Sequence, residues 1–208
     1  PACGATGAGA DPGARRPMRR GGSTFPPPRR SLGAGPTFPR WLHDRPPPPN
    51  WSPRDMAEAW FYHLTDGSLE QTAPDLIEKC LGRGWRVLAR CGSGAAVAAV
   101  DRMLWTYREE SFLPHGTAAD GDPAGQPVYI TAGPEAPNGA AVLMLIAGAS
   151  AAPEEMKGFE RVMVIFDGAD PQRLDQARSL WKQTVAGGIT AQYWAQDGGR
   201  WVKKATSG

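Results

Sequence analysis

The chain has 208 residues, 41% of them hydrophobic, with 23 basic and 21 acidic side chains and a formal net charge of +2. That is apolar material for one substantial core, and no run of about 18 apolar residues exists, so no membrane span is expected. The charge is unevenly placed: residues 1–55 hold 13 of the 21 prolines and nine arginines against three aspartates, about +6, which leaves 14 basic and 18 acidic side chains, net −4, for residues 56–208. The part able to fold lacks the basic footprint of a phosphate-backbone binder, so duplex binding by it is disfavoured and contact with DNA is expected to be indirect.

Residues 1–55, with Pro26 to Pro28, Pro46 to Pro49 and a glycine-rich opening, cannot bury enough apolar surface to offset ordering entropy, and proline runs lack amide donors. They are expected to form a disordered extension. Three readings stay open: a mis-called start upstream of a true one at Met56, a flexible tail, or a basic arm touching nucleic acid. The arginines precede no apolar segment, so a secretory signal is not expected. Cys3, Cys80 and Cys91 are odd in number and show no repeating spacing, which points to a reducing cytoplasm without a disulfide framework.

Residues 56–208 read as a single α/β domain. Ala59 to Leu64 form an aromatic and branched strand ended by Asp66-Gly67. Ser68 with Gln71 has the form of a capping box, followed by Leu69, Leu76, Ile77, Cys80 and Leu81 at helical spacing up to Gly82, with Pro74 expected to kink the first turns or move the start toward Thr72. Trp85 to Arg90 form a second strand, and Ser93 to Trp105 a second helix with Ala96, Val97, Val100, Met103 and Leu104 inward. Pro127 to Ile130, Ala141 to Ile146 and Arg161 to Phe166 are further strands. Asp170-Pro171 starts a helix that runs to about Val185 and stops at Gly187-Gly188. Ile189 to Trp194 is a last long strand, and Asp197-Gly198-Gly199 turns into a short strand or tail. Alternating strands and helices predict parallel pairing through right-handed crossovers, and so an open, mostly parallel, three-layer sheet.

Chemistry-bearing motifs are sparse. Cys91-Gly92-Ser93-Gly94 lies between a strand and a helix, where a dinucleotide loop would sit, but a third glycine would be needed at Val97 and no lysine precedes a Ser or Thr. A plain tight turn is favoured; a nucleotide-binding α/β enzyme using this turn is the alternative function. His63, His115 and the cysteines match no zinc spacing, and no nucleophile elbow or readable carboxylate pair occurs. No catalytic residue, metal or cofactor is expected.

Leu104 to Gly116 are the most informative stretch, placing Trp105, Tyr107, Phe112, Leu113 and Pro114 at a helix end and in the following loop. Exposed aromatics there are costly unless another surface covers them. Folding back as a satellite core under the loop Thr117 to Gln126 is the competing reading, and spacing does not choose. On the final helix, Arg178 and Lys182 at i, i+4 share a face with Trp181 beside them. Such a trio can grip a carboxylate while the indole walls an apolar end group; a solvated face with Trp181 partly buried is the alternative.

Asp101-Arg102-Met103-Leu104-Trp105 followed by Glu110-Ser111-Phe112-Leu113-Pro114-His115-Gly116 resembles the signature of the chi subunit family of bacterial DNA polymerase III. Phe61-Tyr62-His63-Leu64, Gly84-Trp85-Arg86-Val87-Leu88, Val164-Ile165-Phe166-Asp167, and Ala177-Arg178 with Trp181-Lys182 agree with it. The likeness covers nearly all of residues 57–204 and leaves 1–55 unmatched. It implies a Rossmann-like fold without nucleotide chemistry and a non-catalytic adaptor that links the clamp loader to single-stranded DNA-binding protein. That partner's acidic C-terminal tail ends in a hydrophobic residue and a free carboxylate. The resemblance implies tail binding by Arg178, Trp181 and Lys182, with Arg173 adding positive potential; Trp181 stands where some members have tyrosine. It implies contact with the psi subunit, or another clamp-loader subunit, through Trp105, Phe112 and Pro114. Tail affinity is expected to be about micromolar and salt-sensitive.

Overall fold

The structure, a computed structural model, describes residues 57–207; the expectations for residues 1–55 lie outside them. In chain order the elements are β1 (Glu58–Leu64), α1 (Leu69–Gly82), β2 (Val87–Cys91), α2 (Gly94–Thr106), β3 (His115–Gly116), a 3-10 turn (Ala118–Asp120), β4 (Val128–Thr131), β5 (Val142–Ile146), α3 (Pro153–Met156), β6 (Arg161–Asp167), α4 (Pro171–Ala186), β7 (Thr190–Asp197) and β8 (Arg200–Ser207). The strands form one sheet in the order β3-β4-β2-β5-β6-β1-β7-β8. Every neighbouring pair is parallel except β7 with β8. The fold is therefore mixed α/β on a mostly parallel sheet.

Burial follows from pairing. All five residues of β2 and all five of β5 are buried, as central parallel strands require when both faces are covered. Successive side chains alternate faces, so neighbours part company: Tyr62, Ala89, Met144 and Ile165 join a core with Ile77 of α1 and Leu104 of α2. Phe61, Leu88, Leu143 and Val164 join another with Met156 of α3 and Leu180 of α4. Helices α1 and α2 thus pack on one face, α3 and α4 on the other.

Several sequence expectations shift. Ser68 occupies the N-cap of α1 without a side-chain bond, so the capping box does not form. The helix still starts there, because Thr72 N donates to Ser68 O at 3.1 Å, and Pro74 is buried inside a continuous helix. The missing proline amide frees only the carbonyl one turn back, on the exposed Glu70. The second strand begins at Val87 rather than Trp85. The C-terminal segment, expected as a short strand or tail, is a strand of eight residues. Gly198 and Gly199, with φ of 57° and 76°, supply the two positive-φ positions that a tight two-residue hairpin needs.

Candidate docking sites

Asp170 fixes the start of α4: its Oδ1 accepts from Gln172 N at 2.9 Å and Arg173 N at 3.4 Å, with Pro171 at the first helical position. Ala177, Leu180 and Thr184 then face the core, which turns Arg178 and Lys182 to solvent. Trp181 lies half-buried between them and the sheet, edge-on to Phe61 at 5.1 Å and to Tyr193 at 6.4 Å. Arg178 Nη1 is 3.2 Å from Asp175 Oδ1, with both side chains more than half exposed. Such an open pair is screened and easily exchanged for another anion. Lys182 makes no ion pair among the described residues. Burial pushes the Tyr193 phenol up and the positive charge of Arg178 pulls it back.

Arg173 stands apart from this trio. It lies on the other flank of α4, lining a cleft of about 700 Å³ with Gly148, Gln172 and Gln176. Its Nη1 donates to Gln176 Oε1 at 3.2 Å, and its Nε is 3.7 Å from Asp170. Arg173 and Arg178 are five positions apart, about 140° around a helix, so the Arg173 side chain faces the cleft and not the Arg178–Lys182 face.

The second surface is built at the end of α2. Trp105 and Phe112 are 58% and 61% exposed, their rings 5.7 Å apart, with half-buried Pro114 in the same loop. Leu113 and His115 are buried and Tyr107 packs against the core; His115 Nδ1 bonds to Leu113 O at 2.6 Å, and its ring meets Trp105 edge-on at 5.0 Å. The satellite-core reading therefore applies to those three, not to Trp105 or Phe112. The intervening loop is fastened to α1. Tyr107 Oη donates to Glu78 Oε1 at 2.7 Å, Ser111 Oγ to the same oxygen at 3.2 Å, and Arg108 Nη2 to Asp75 Oδ1 at 2.9 Å. Because α2 and α4 cover opposite faces of the sheet, the two surfaces do not compete for space.

Elsewhere the candidate chemistry is absorbed by packing. Ser93 caps α2 by accepting from Ala96 N at 3.2 Å, and a Cβ on Gly92 would stand 2.5 Å from Ala147 O. That glycine serves a loop-to-loop approach. Cys80 and Cys91 are buried free thiols, each pushed up to about 11 by burial, and so are poor nucleophiles. Among the described residues no group of three or more His, Cys, Asp or Glu is arranged to hold a metal, and no helix is long and apolar enough to cross a membrane. Sequence reasoning considered His63 but missed its pairing with Tyr193, a hydrogen bond between residues 130 positions apart; no spacing rule reaches that far.

Fold and surfaces together define a mostly parallel α/β domain with a cationic–aromatic patch on one face and an exposed apolar patch on the other. Residues 56–192 match the family model described as DNA polymerase III chi subunit, HolC. The chain is 32% identical over 117 residues to the probable DNA polymerase III subunit chi of Rickettsia prowazekii (strain Madrid E), covering 54% of this chain and 71% of that protein. It is 34% identical over 82 residues to the DNA polymerase III subunit chi of Escherichia coli (strain K12), covering 36% of this chain and 56% of that protein. The chain belongs to the DNA polymerase III chi subunit family, and so to the accessory proteins of DNA replication.

Proposed function

We propose that this chain is a non-catalytic adaptor of the replicative polymerase in the cytoplasm. It links the clamp loader to the acidic C-terminal tail of single-stranded DNA-binding protein, on a Rossmann-like three-layer scaffold. The observation that carries this reading is the α4 surface: two exposed cations one helical turn apart, with a half-buried indole between them. Arg178 and Lys182 supply charge-assisted donors to a terminal carboxylate and its acidic neighbours, and Trp181 provides an apolar wall for the last side chain. The exposed Trp105–Phe112 pair with Pro114 receives psi or another clamp-loader subunit. Aromatic anchors of this kind dominate interface energies once desolvated.

The test is affinity capture from cell extract with the full chain and an Arg178→Ala, Lys182→Ala variant. Loss of single-stranded DNA-binding protein from the variant, with clamp-loader proteins retained, is the expected result. Equal capture of it by both forms, or stabilisation of the protein by nucleotides but not by an acidic peptide, sinks the adaptor reading.

A further inference from the structure

Beside the cationic patch lies a polar pair, His63 of the segment Phe61 to Leu64 and Tyr193 of β7, that no single sequence motif joins. Tyr193 of β7 stands between Trp181 and His63: its ring is 6.4 Å from that of Trp181 and 5.9 Å from that of His63, and its Oη is 2.5 Å from His63 Nδ1. His63 is held from two further directions. Its ring stacks on Phe166 at 5.1 Å with 12° between planes, and its Nε2 lies over Gly168, where a Cβ would come within 1.7 Å of it. Both residues are half-buried, so the pair is fixed in place yet reaches solvent.

A tyrosine has one hydroxyl proton to give. When His63 Nδ1 is bare, it takes that proton and the hydroxyl has nothing left to donate. When Nδ1 carries a proton, in the neutral Nδ1–H tautomer or in the imidazolium, Nδ1–H donates to Oη and the hydroxyl proton can serve another acceptor; an anion bound there favours the imidazolium over the neutral tautomer. On a surface shared with Trp181 and in the field of Arg178, the acceptor that electrostatics favours is an incoming carboxylate. Resting on the reading of this patch as a tail site, we infer that the Tyr193 hydroxyl is a further donor to the carboxylates of a bound acidic chain, that His63 is its positioning residue, and that binding takes up a proton on His63.

The surroundings set the sign. Charged or titratable groups facing His63 are Asp167 at the end of β6, Tyr193 on β7 and, past Tyr193, Arg178 on α4. At the same level β7 places Ala195 and β8 places Val202, both uncharged. In the free protein burial holds the imidazole below its ordinary value against the pull of Asp167. A bound anion raises it. The extra affinity is therefore full below the free-state value and is lost as pH rises through the bound-state value.

Calorimetric titration of the full chain tests this, with a synthetic peptide of acidic residues ending in phenylalanine and a free carboxylate. It is run at about pH 5.5 and about pH 7.5 in buffers of different ionisation enthalpy, a window in which histidine titrates and the peptide carboxylates stay ionised. Wild type is expected to bind about fivefold tighter at the lower pH, the low end of ordinary site coupling, with net proton uptake. His63→Gln is expected to lose the pH response and the uptake, and Tyr193→Phe to bind about tenfold more weakly, the change expected for one hydrogen bond to a charged group. An undiminished pH response in His63→Gln, or unchanged affinity in Tyr193→Phe, overturns the inference. If Arg178→Ala, Lys182→Ala abolishes binding while Tyr193→Phe does not weaken it, the tail site stands and only this inference falls. If wild type does not bind the peptide, both fall.

Discussion

Gly92 and Ala147 meet backbone to backbone. The exit of β5 runs through Ala147 at φ 52° and Gly148 at φ 81°, two left-handed residues in succession. This bend carries the Ala147 carbonyl under the turn that leaves β2, where a Cβ on Gly92 would lie 2.5 Å from the oxygen and 3.1 Å from Gly148 C. Both obstacles are backbone and cannot rotate away.

The two glycines of this turn should therefore respond differently. Gly92→Ala is expected to destabilise by about 1–3 kcal/mol through overpacking, lowering Tm by roughly 3–10 °C. Gly94→Ala, with nothing within 4 Å of its Cβ position, should stay within about 0.5 kcal/mol. A phosphate-cradling loop would instead make Gly94→Ala matter in the presence of nucleotide, so thermal melts with and without ATP decide between the two accounts.

A second prediction concerns Arg90, which is 5% exposed. Its guanidinium donates to Pro134 O at 2.9 Å and to the carboxylate of Glu155, an ion pair with the Glu155 side chain 30% exposed. Removing the anion strands the buried cation: Glu155→Ala is expected to cost about 3 kcal/mol. Replacing both, as in Arg90→Met with Glu155→Leu, should recover most of that loss, because the buried charge leaves with its partner. Urea unfolding of the two variants and the parent measures the difference.

Much of this architecture was legible because the relevant signals are local. Ala141 to Ile146 and Arg161 to Phe166 announce strands by composition, within one residue of the observed Val142–Ile146 and Arg161–Asp167, and Asp170-Pro171 marks the start of α4 to the residue. What was not legible depends on tertiary contact. The four-residue helix α3 and the two-residue β3 are too short for a periodic pattern, and β8 is completed by pairing with β7. At the α4 surface, i, i+4 spacing put Arg178 and Lys182 on one face and the same periodicity sets Arg173 about 140° away, but the cleft that Arg173 lines with Gly148 is made by tertiary contact. Likewise, the exposure of Trp105 beside a buried Leu113 and His115 is set by how Tyr107, Arg108 and Ser111 fasten the loop to α1.

The buried thiols give a pH prediction. In the unfolded chain Cys80 and Cys91 ionise near 9, whereas burial pushes each up to about 11 in the folded protein. The unfolded state therefore loses protons first, and unfolding free energy should fall as pH rises from about 9 to about 11, with no contribution from these groups below that window. Tyr62, its phenol also raised by burial, acts in the same direction. At about pH 8 a thiol titrating near 11 is roughly one part in a thousand thiolate. Iodoacetamide should accordingly leave Cys80 and Cys91 unmodified in the native protein and label both in urea, which peptide mass mapping reads site by site.

The apolar surface should be separable from stability. Trp105 and Phe112 already face water in the folded chain, so truncating them to alanine forfeits little burial, and the double variant is expected to melt within about 3 °C of the parent. Binding is another matter, because an exposed aromatic that a partner desolvates typically contributes about 2 kcal/mol or more per residue. Trp105→Ala with Phe112→Ala should therefore weaken capture of the proposed clamp-loader partner at least about thirtyfold. Since α2 and α4 cover opposite faces of the sheet, the same variant should bind an acidic tail peptide as the parent does, and Arg178→Ala should reverse the pattern. Combined in one chain, the two sets of changes should add without coupling. A measured interaction energy above about 0.5 kcal/mol between them would mean that the sheet transmits one occupancy to the other surface.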